Sequence, residues 1–362
     1  MTSLFQKNAT FMTAAILSVS VSACATPVTS APTVQVTARA ETAAVATLNA
    51  DAADDPAIWT AAPGSSAMLG GRSVPGFIAG TDKKAGLYFY GLDGAQLQFL
   101  PDGLLNNVDL RENVMVEGRP QLLIGASDRG RMGIALYLFD PAGRETGNAV
   151  RPWGFIRSDV VEPYGFCMGN VGGVPHAILI GKDGQTRQYR IDAGPTGPTG
   201  TEVRRFAIGS QSEGCVIDEQ AGMLYVGEEL GGVWRYALAP ETGGERTLIQ
   251  GVDASGRLIA DVEGVTLLRD GAATYLLVSS QGDSAFAVWR VDGATPVYAG
   301  RFAVGAGAGV DAVTGTDGID ARGGAVGDYP EGLVVVQDDQ NEGMSQNFKL
   351  VDWRDVRRAL GL

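Results

Sequence analysis

Six times along its 362 residues the chain repeats a small or turn residue beside a polar one, followed by an apolar stretch. The copies are Asp55-Pro56-Ala57-Ile58-Trp59, Asn107-Val108-Asp109-Leu110, Tyr164-Gly165-Phe166-Cys167, Glu213-Gly214-Cys215-Val216, Glu263-Gly264-Val265-Thr266 and Asp317-Gly318-Ile319-Asp320, stepped by 49 to 57 residues. A second pattern interleaves with the first. An apolar run leads into a polar stretch, usually a Gly, and another apolar run, over residues 77–94, 122–140, 178–192, 224–238, 275–293 and 333–353. Six units of about 50 residues, each built from short strands and Gly/Asp turns, predict an all-β chain folded as a six-bladed β-propeller with four strands per blade. The 51 glycines suit many turns, and long helical periodicity is absent. A β-sandwich would not generate six matched repeats.

In a radial fold, equivalent positions of every blade surround one axis, so polar residues far apart in sequence meet at the channel mouth. The first motif set brings Asp54, Asp55, Asn106, Asn107, Asp109, Tyr164, Glu213, Asp261, Glu263, Asp317 and Asp320. The second brings Asp82, Lys83, Lys84, Asp128, Arg129, Lys182, Asp183, Glu228, Glu229, Gln281, Asp338, Asp339 and Asn341. The bases come from repeats one to three. The acids are densest in repeats four to six and return at Asp54-Asp55. Many carboxylates with Asn and Gln, and no Cys or His among them, make a hard-oxygen site of the kind calcium takes with six to eight ligands. A basic arc beside such a site suits a polyanion carrying several phosphates. Taken singly these residues are ordinary: an Asp-Gly pair is a turn, Lys83-Lys84 a solvated loop, Tyr164 a core residue. Their joint recurrence gives them weight. Trp59, Trp234, Trp289 and Trp353 fall on repeat strands and are expected in the core.

Charge and rare residues exclude other chemistries. With 28 Lys and Arg against 41 Asp and Glu, the net charge of −13 repels nucleic acid and anionic lipid. The single histidine, His176, excludes multi-His zinc sites and phosphatases that pair two histidines. The three cysteines form no CxxC pattern and no Cys-phosphatase loop. Cys167 and Cys215 hold the same place in consecutive repeats. They read either as an inter-blade disulfide, which export permits, or as two small buried thiols.

The N-terminus reads as an address. Residues 11–23 form a short, mostly apolar run after Lys7, too short for a permanent membrane span. The run ends Val21-Ser22-Ala23-Cys24, which looks like a bacterial lipobox. Residues 1–24 are thus expected to be a lipoprotein-type signal with Cys24 lipidated, 25–33 a tether and 34–362 the propeller. Simple secretion after an Ala23-Cys24-Ala25 cleavage site is the competing reading. Either way the chain is exported, and any membrane contact is through the lipid anchor in the cell envelope.

Asp51-Ala-Ala-Asp54-Asp55-Pro-Ala-Ile-Trp59, Thr81-Asp-Lys-Lys84-Ala-Gly-Leu, Leu105-Asn-Asn-Val-Asp-Leu-Arg111, Tyr164-Gly-Phe166, Ser212-Glu-Gly214, Asp261-Val-Glu-Gly264, Ser279-Ser-Gln-Gly282, Thr316-Asp-Gly-Ile-Asp320 and Gln346-Asn-Phe-Lys349 stand in order from about residue 34 to 353. Together they resemble the β-propeller phytases, bacterial calcium-dependent enzymes of the 3-phytase type. The resemblance implies hydrolysis of phosphate esters of myo-inositol hexakisphosphate and lower inositol phosphates by a monomer holding several Ca2+ ions. It implies calcium ligands at Asp54, Asp55, Glu213, Glu228, Asp261, Glu263 and Gln281, and less directly Glu41. It implies phosphate contacts at Lys83, Arg129, Tyr164 and Lys182, with Lys84 beside them, and a structural calcium at Asp317 and Asn341 with the backbone around Val108. The chain departs from the family pattern in Thr60-Ala-Ala-Pro-Gly-Ser-Ser66, which lacks a His-Pro, in Asp339 where Gly is usual, and in Asp128 where Asn is common.

With no paired His and no nucleophilic Cys, the expected reaction is direct in-line attack of a calcium-acidified water on the phosphate monoester. Glu228 and Tyr164 are the catalytic candidates, Glu228 to orient the water. Two alternatives remain from sequence: another calcium-dependent propeller hydrolase, lactonase-like, in which the bases serve no purpose, or a non-enzymatic envelope scaffold with apolar loop tips.

Overall fold

A computed structural model describes residue 1 and residues 28–143, 148–194 and 197–362. Cys24, and with it the lipidation site, lies outside the described residues.

Six antiparallel sheets follow one another around an axis. Blade I contains Ala53–Thr60, Gly76–Asp82, Gly86–Gly91 and Gln96–Leu100. Blade II contains Leu105–Val116, Arg119–Asp128, Gly133–Phe139 and Arg151–Arg157, and blade III Pro163–Val171, Val174–Gly181, Gln185–Gly194 and Gly197–Ala207. Blade IV contains Ser212–Asp218, Met223–Glu228, Gly232–Ala237 and Arg246–Gly251. Blade V contains Val262–Asp270, Ala273–Ser280, Ala285–Arg290 and Val297–Gly305. Blade VI supplies only Ile319–Gly323, Gly332–Asp338 and Asn347–Asp352 from its own repeat; Ala40–Glu41 pairs antiparallel with the last of these as its fourth strand. The ring is therefore closed by main-chain bonds between the two ends of the chain. Val34–Thr37 pairs in parallel with Val297–Gly305 and adds a fifth strand to blade V.

The first strand of each blade lines the axis, and each packs on the first strand of the next until blade VI meets blade I. Apolar clusters fill the spaces between neighbouring sheets. Trp59, Phe77, Phe89 and Phe139 pack edge-on or tilted between blades I and II, with Trp59 and Phe77 centroids 5.1 Å apart. Trp289 and Trp353 are buried as expected. Trp234 is only half-buried: the Arg246 guanidinium sits 3.7 Å over its ring, and its indole donates to Glu228.

The repeated motif has a backbone meaning. In each of blades I to V the pairing of first and second strands slips at the motif, between Ala53 and Pro56, opposite Ala126–Asp128, and between Pro163 and Phe166, Ser212 and Cys215, and Val262 and Val265. The slipped residues are the polar pairs read from the sequence: Asp54-Asp55, Asn106-Asn107, Tyr164-Gly165, Glu213-Gly214 and Glu263-Gly264. Bulges of this kind re-aim side chains, and here they turn them into the channel mouth. In blades III to VI the Gly that follows the polar residue makes room for the next blade. A Cβ on Gly165, Gly214, Gly264 or Gly318 would lie 2.3, 2.1, 2.7 or 2.4 Å from the carbonyl oxygen of Glu213, Glu263, Asp317 or Asp54. Close approach of two backbones leaves no space for a side chain.

Candidate active site

Antiparallel pairing puts the start of each first strand beside the end of each second strand. Both sets of polar residues therefore open on one mouth of the channel, as Ala53 opposite Asp82, Leu105 opposite Asp128, and Ser212 opposite Glu228 show.

The centre of this mouth is acidic and buried. Asp54, Asp55, Glu213, Glu229, Glu263 and Asp317 are all less than a tenth exposed. One carboxylate oxygen each of Glu213, Glu229 and Glu263 lies within 4.8 Å of the others. Burial, then the Asp54 charge, pushes the Glu213 carboxyl far above its ordinary value, although Lys83 pulls the other way. Burial and Glu213 do the same to Glu263, burial and Asp54 to Asp55, and burial raises Glu229. Asp317 is pushed up to about 7 by burial, against the pull of Lys83 and with Asp54 adding to the rise.

Several oxygens there have no partner. Asp54 Oδ2, Asn106 Oδ1, Glu229 Oε1 and Glu263 Oε2 are buried without a hydrogen bond. Orphaned buried oxygens of several acids are costly unless a cation completes them. Their all-oxygen chemistry and irregular placement fit a hard cation such as calcium. Asn106 Nδ2 donates to Glu213, and Gln281 Nε2 donates to Asp317. Asp261 is half-buried at the rim, with its carbonyl accepting from Gln281 N at 2.9 Å.

Lys83 is the one sequence-predicted base that points into the acids. Its ammonium lies 2.8 Å from Asp51, 3.0 Å from Asp54 and 3.3 Å from Asp317. Burial would lower its pKa, but these carboxylates and Glu213 outweigh it and hold the amine firmly protonated. Arg129 extends from the same side, donating from Nη2 to the Lys83 carbonyl at 2.7 Å. Its Nη1 and the Lys182 ammonium stand 3.9 and 3.8 Å from Glu162. Lys182 also lies 5.5 Å over the Tyr164 ring. Lys84 is exposed beside them. The Tyr164 hydroxyl meets Glu213 and Glu229 and accepts from Gln211 at 3.3 Å. Burial and those carboxylates raise its pKa, so it remains a neutral donor.

Three placements differ from the expectation. Glu228 turns outward: it accepts from Ser210 Oγ and Trp234 Nε1, both at 2.7 Å, and pairs with Arg246 at 3.5 Å. Glu228 ends its strand facing the outer strands, and the turn residue Glu229 enters the cluster in its place. The sequence pattern gathers Glu229 at the mouth and gives no means of choosing between adjacent glutamates. Asp317 and Asn341 fall in different networks. Asn341 Oδ1 accepts from the Lys349 ammonium at 3.2 Å, in a second acidic group with Glu41, Asp311 and, at 3.3 Å, Asp338. This group borders a cavity of about 330 Å3. The Val108 amide donates to Asp55 at 3.1 Å instead of joining either of them. Asp311 carried no sequence signal, since it lies in an irregular loop; Lys349 stood in the quoted Gln346–Lys349 motif without a role.

Cys167 and Cys215 form a disulfide between the first strands of blades III and IV, with Cα atoms 5.6 Å apart. The bond staples the strands that carry Tyr164 and Glu213 near their starts.

A closed ring of six sheets with buried carboxylates and a basic arc at one mouth is a β-propeller whose site suits phosphate esters, and the family match makes it a phosphoric monoester hydrolase. The phytase family model matches residues 7–362, and the chain belongs to that family. The chain is 36% identical over 340 residues to the 3-phytase of Bacillus subtilis (strain 168), covering 90% of this chain and 86% of that protein. Among solved structures, the BBS1N chain in complex with ARL6DN is 13% identical, covers 76% of this chain and 74% of its own, and has a TM-score of 0.47. The GH43_1 enzyme from Xanthomonas citri complexed with xylose is 13% identical over 67% of this chain and 85% of its own, with a TM-score of 0.43. Both scores fall too low to inform fold or activity.

Proposed function

We propose that the chain is a calcium-dependent phytase that removes phosphate from myo-inositol hexakisphosphate and lower inositol phosphates. The observation that carries the calcium dependence is the set of orphaned buried oxygens on Asp54, Glu229 and Glu263 beside the Arg129–Lys182 arc. Asp54, Asp55, Glu213, Glu229, Asp261, Glu263, Gln281 and Asp317 would hold the ions. When bound, calcium neutralises phosphate oxygens and acidifies a water.

The chain's own residues do the rest. Glu229 takes the water-orienting role expected of Glu228. Burial raises its carboxyl, which makes it a better proton acceptor beside the Tyr164 hydroxyl. Tyr164 stays neutral and donates a hydrogen bond to a phosphate oxygen. Arg129, Lys182 and Lys84 hold neighbouring phosphates of the ring, and Lys83 joins the basic arc to the acids. The arrangement favours charge stabilisation of a loose phosphoryl-transfer transition state over covalent catalysis. Glu41 and Asn341 belong to the second acidic group and take a structural role.

The test is phosphate release from phytate by the purified chain across a calcium titration, with a chelator control. Calcium-dependent release supports the reading. Folded protein that releases nothing at any calcium level overturns it in favour of a lactonase-like or scaffold propeller. A phospho-enzyme trapped in a single turnover overturns direct water attack. Export as a monomer lipidated at Cys24 is part of the proposal; a mature N-terminus without lipid, cut after residue 25, would replace it with secretion.

A further inference from the structure

Two of the residues assigned to the cation site, Asp261 and Gln281, lie on neighbouring loops rather than on strands. Both loops are fastened to one buried side chain remote from the acids. Arg301, on Val297–Gly305 of blade V, is fully buried. Its Nη2 donates to Asp283 Oδ1 and Oδ2 at 2.6 and 2.5 Å. Asp283 closes the single turn Gln281–Asp283 that begins with Gln281. Its Oδ1 also accepts from Ser280 Oγ at 2.7 Å, and Ser280 Oγ bonds both the amide and the carbonyl of Ile259, at 2.8 and 3.2 Å. Gly282 packs against this same segment, for a Cβ there would meet the Ala260 carbonyl oxygen at 2.0 Å.

The other end of the Arg301 guanidinium holds the start of the loop. Nη1 donates to the Gly256 carbonyl at 3.0 Å. That carbonyl also accepts from the Ala31 amide at 2.8 Å. Gly256 has φ +65, and a Cβ on it would strike the Thr29 carbonyl oxygen at 2.0 Å. Residues 28–33 thus lie along the 253–261 loop before entering Val34–Thr37, the strand paired with the one that carries Arg301. Residues 28–33, read from sequence as part of a tether, pack on this loop.

We propose that Arg301 is a positioning residue for the cation site: through Asp283 and Gly256 it clamps the Gln281 turn and the Asp261 loop in register, with the N-terminal segment as the outer jaw. The proposal rests on the assignment of Asp261 and Gln281 to the cation. Arg301 reaches neither substrate nor cation, so its removal acts on how well the loops are presented.

The test uses full-length chain carrying Arg301→Lys, which keeps the buried charge and loses the multiple, planar contacts. A second variant, Gly256→Ala, pushes the N-terminal segment off the loop without touching the guanidinium. Calcium affinity is read by isothermal titration calorimetry at 20 °C, and kcat and KM for phytate are read across a calcium titration. The expected result is a five- to thirty-fold weaker calcium affinity in both variants. Saturating calcium should restore kcat, and KM should stay near the wild-type value. Folded Arg301→Lys and Gly256→Ala proteins with wild-type calcium affinity overturn the clamp, since a merely structural arginine would lower the melting temperature and leave affinity unmoved. Should Arg301→Lys fail to fold, the Gly256→Ala affinity decides alone. A wild-type chain that takes up no calcium overturns the cation assignment and the clamp together, an outcome distinct from unaltered variants.

Discussion

One carboxylate oxygen each of Glu213, on the first strand of blade IV, and Glu229, in the turn after the second, approach within 4.8 Å, while Glu228, one residue earlier, bonds Ser210 and Trp234 on the outer side. Adjacent glutamates therefore divide between the channel and the blade. Glu229→Gln is expected to lower phosphate release at least a hundred-fold and to weaken calcium binding. Glu228→Gln should cost mainly stability, because it unsettles the Trp234–Arg246 stack. Parallel activity assays and calorimetry on the two variants separate the roles; equal loss of activity in both would refute the division.

Lys83 stands among Asp51, Asp54 and Asp317 as the cation of the metal-free site. Lys83→Met leaves buried acids uncompensated, a loss on the order of 3 kcal/mol for breaking a buried pair. Thermal melts in chelator should show that loss, and saturating calcium should recover most of it. Phytate hydrolysis should not recover. A variant as stable as wild type in chelator would contradict the compensating role.

The raised carboxyls set a pH dependence for the metal-free protein. Asp317 titrates near 7 when folded against 3.8 as an ordinary carboxyl, so the folded chain holds its proton more tightly than the unfolded chain. Unfolding then releases protons, and stability falls as pH rises between about 4 and 7. Glu213, Glu263 and Asp55 shift in the same direction. Melting temperature in chelator is expected to be lower at pH 8 than at pH 5.5, and calcium should reverse the order. Its affinity should itself grow with pH as it displaces those protons. A metal-free melting temperature that climbs from pH 5.5 to 8 would count against the buried acids as the controlling groups.

The Cys167–Cys215 bond closes a loop across 48 positions of sequence. Chain-entropy arguments give such a cross-link about 4 kcal/mol of stability. Cys167→Ala/Cys215→Ala should unfold at correspondingly lower denaturant, and reductant should affect wild type alone. Since the staple joins the strands that carry Tyr164 and Glu213, the double variant should also lose calcium affinity well below its melting temperature.

Much of this was written in local pattern. The six-fold recurrence near 50 residues, each unit built of several short strands and turns, points to the propeller, because a radial array of small sheets makes equivalent use of six such units. In blades III to V a polar residue followed by Gly marks where the bulge forms, since the polar residue turns to the axis and the next backbone passes against the Gly. The segregation of bases into the early repeats and acids into the late ones becomes segregation around the mouth for the same reason.

Sequence alone could not decide what depends on side-chain direction at the ends of strands. Glu228 and Glu229 are the same residue type one place apart, and only the strand's final register turns one inward. Asp317 and Asn341 belong to the same repeat yet enter separate networks, because one precedes the first strand at the axis and the other follows the second strand and bonds Lys349. The equivalent places of Cys167 and Cys215 allowed a bond or two thiols, until the spacing of neighbouring blades brought their Cα atoms within 5.6 Å. Composition and repeat determined the ring and the face on which its chemistry gathers. Tertiary packing decided which oxygens are left without partners, since that follows from how neighbouring blades and the two chain ends press together.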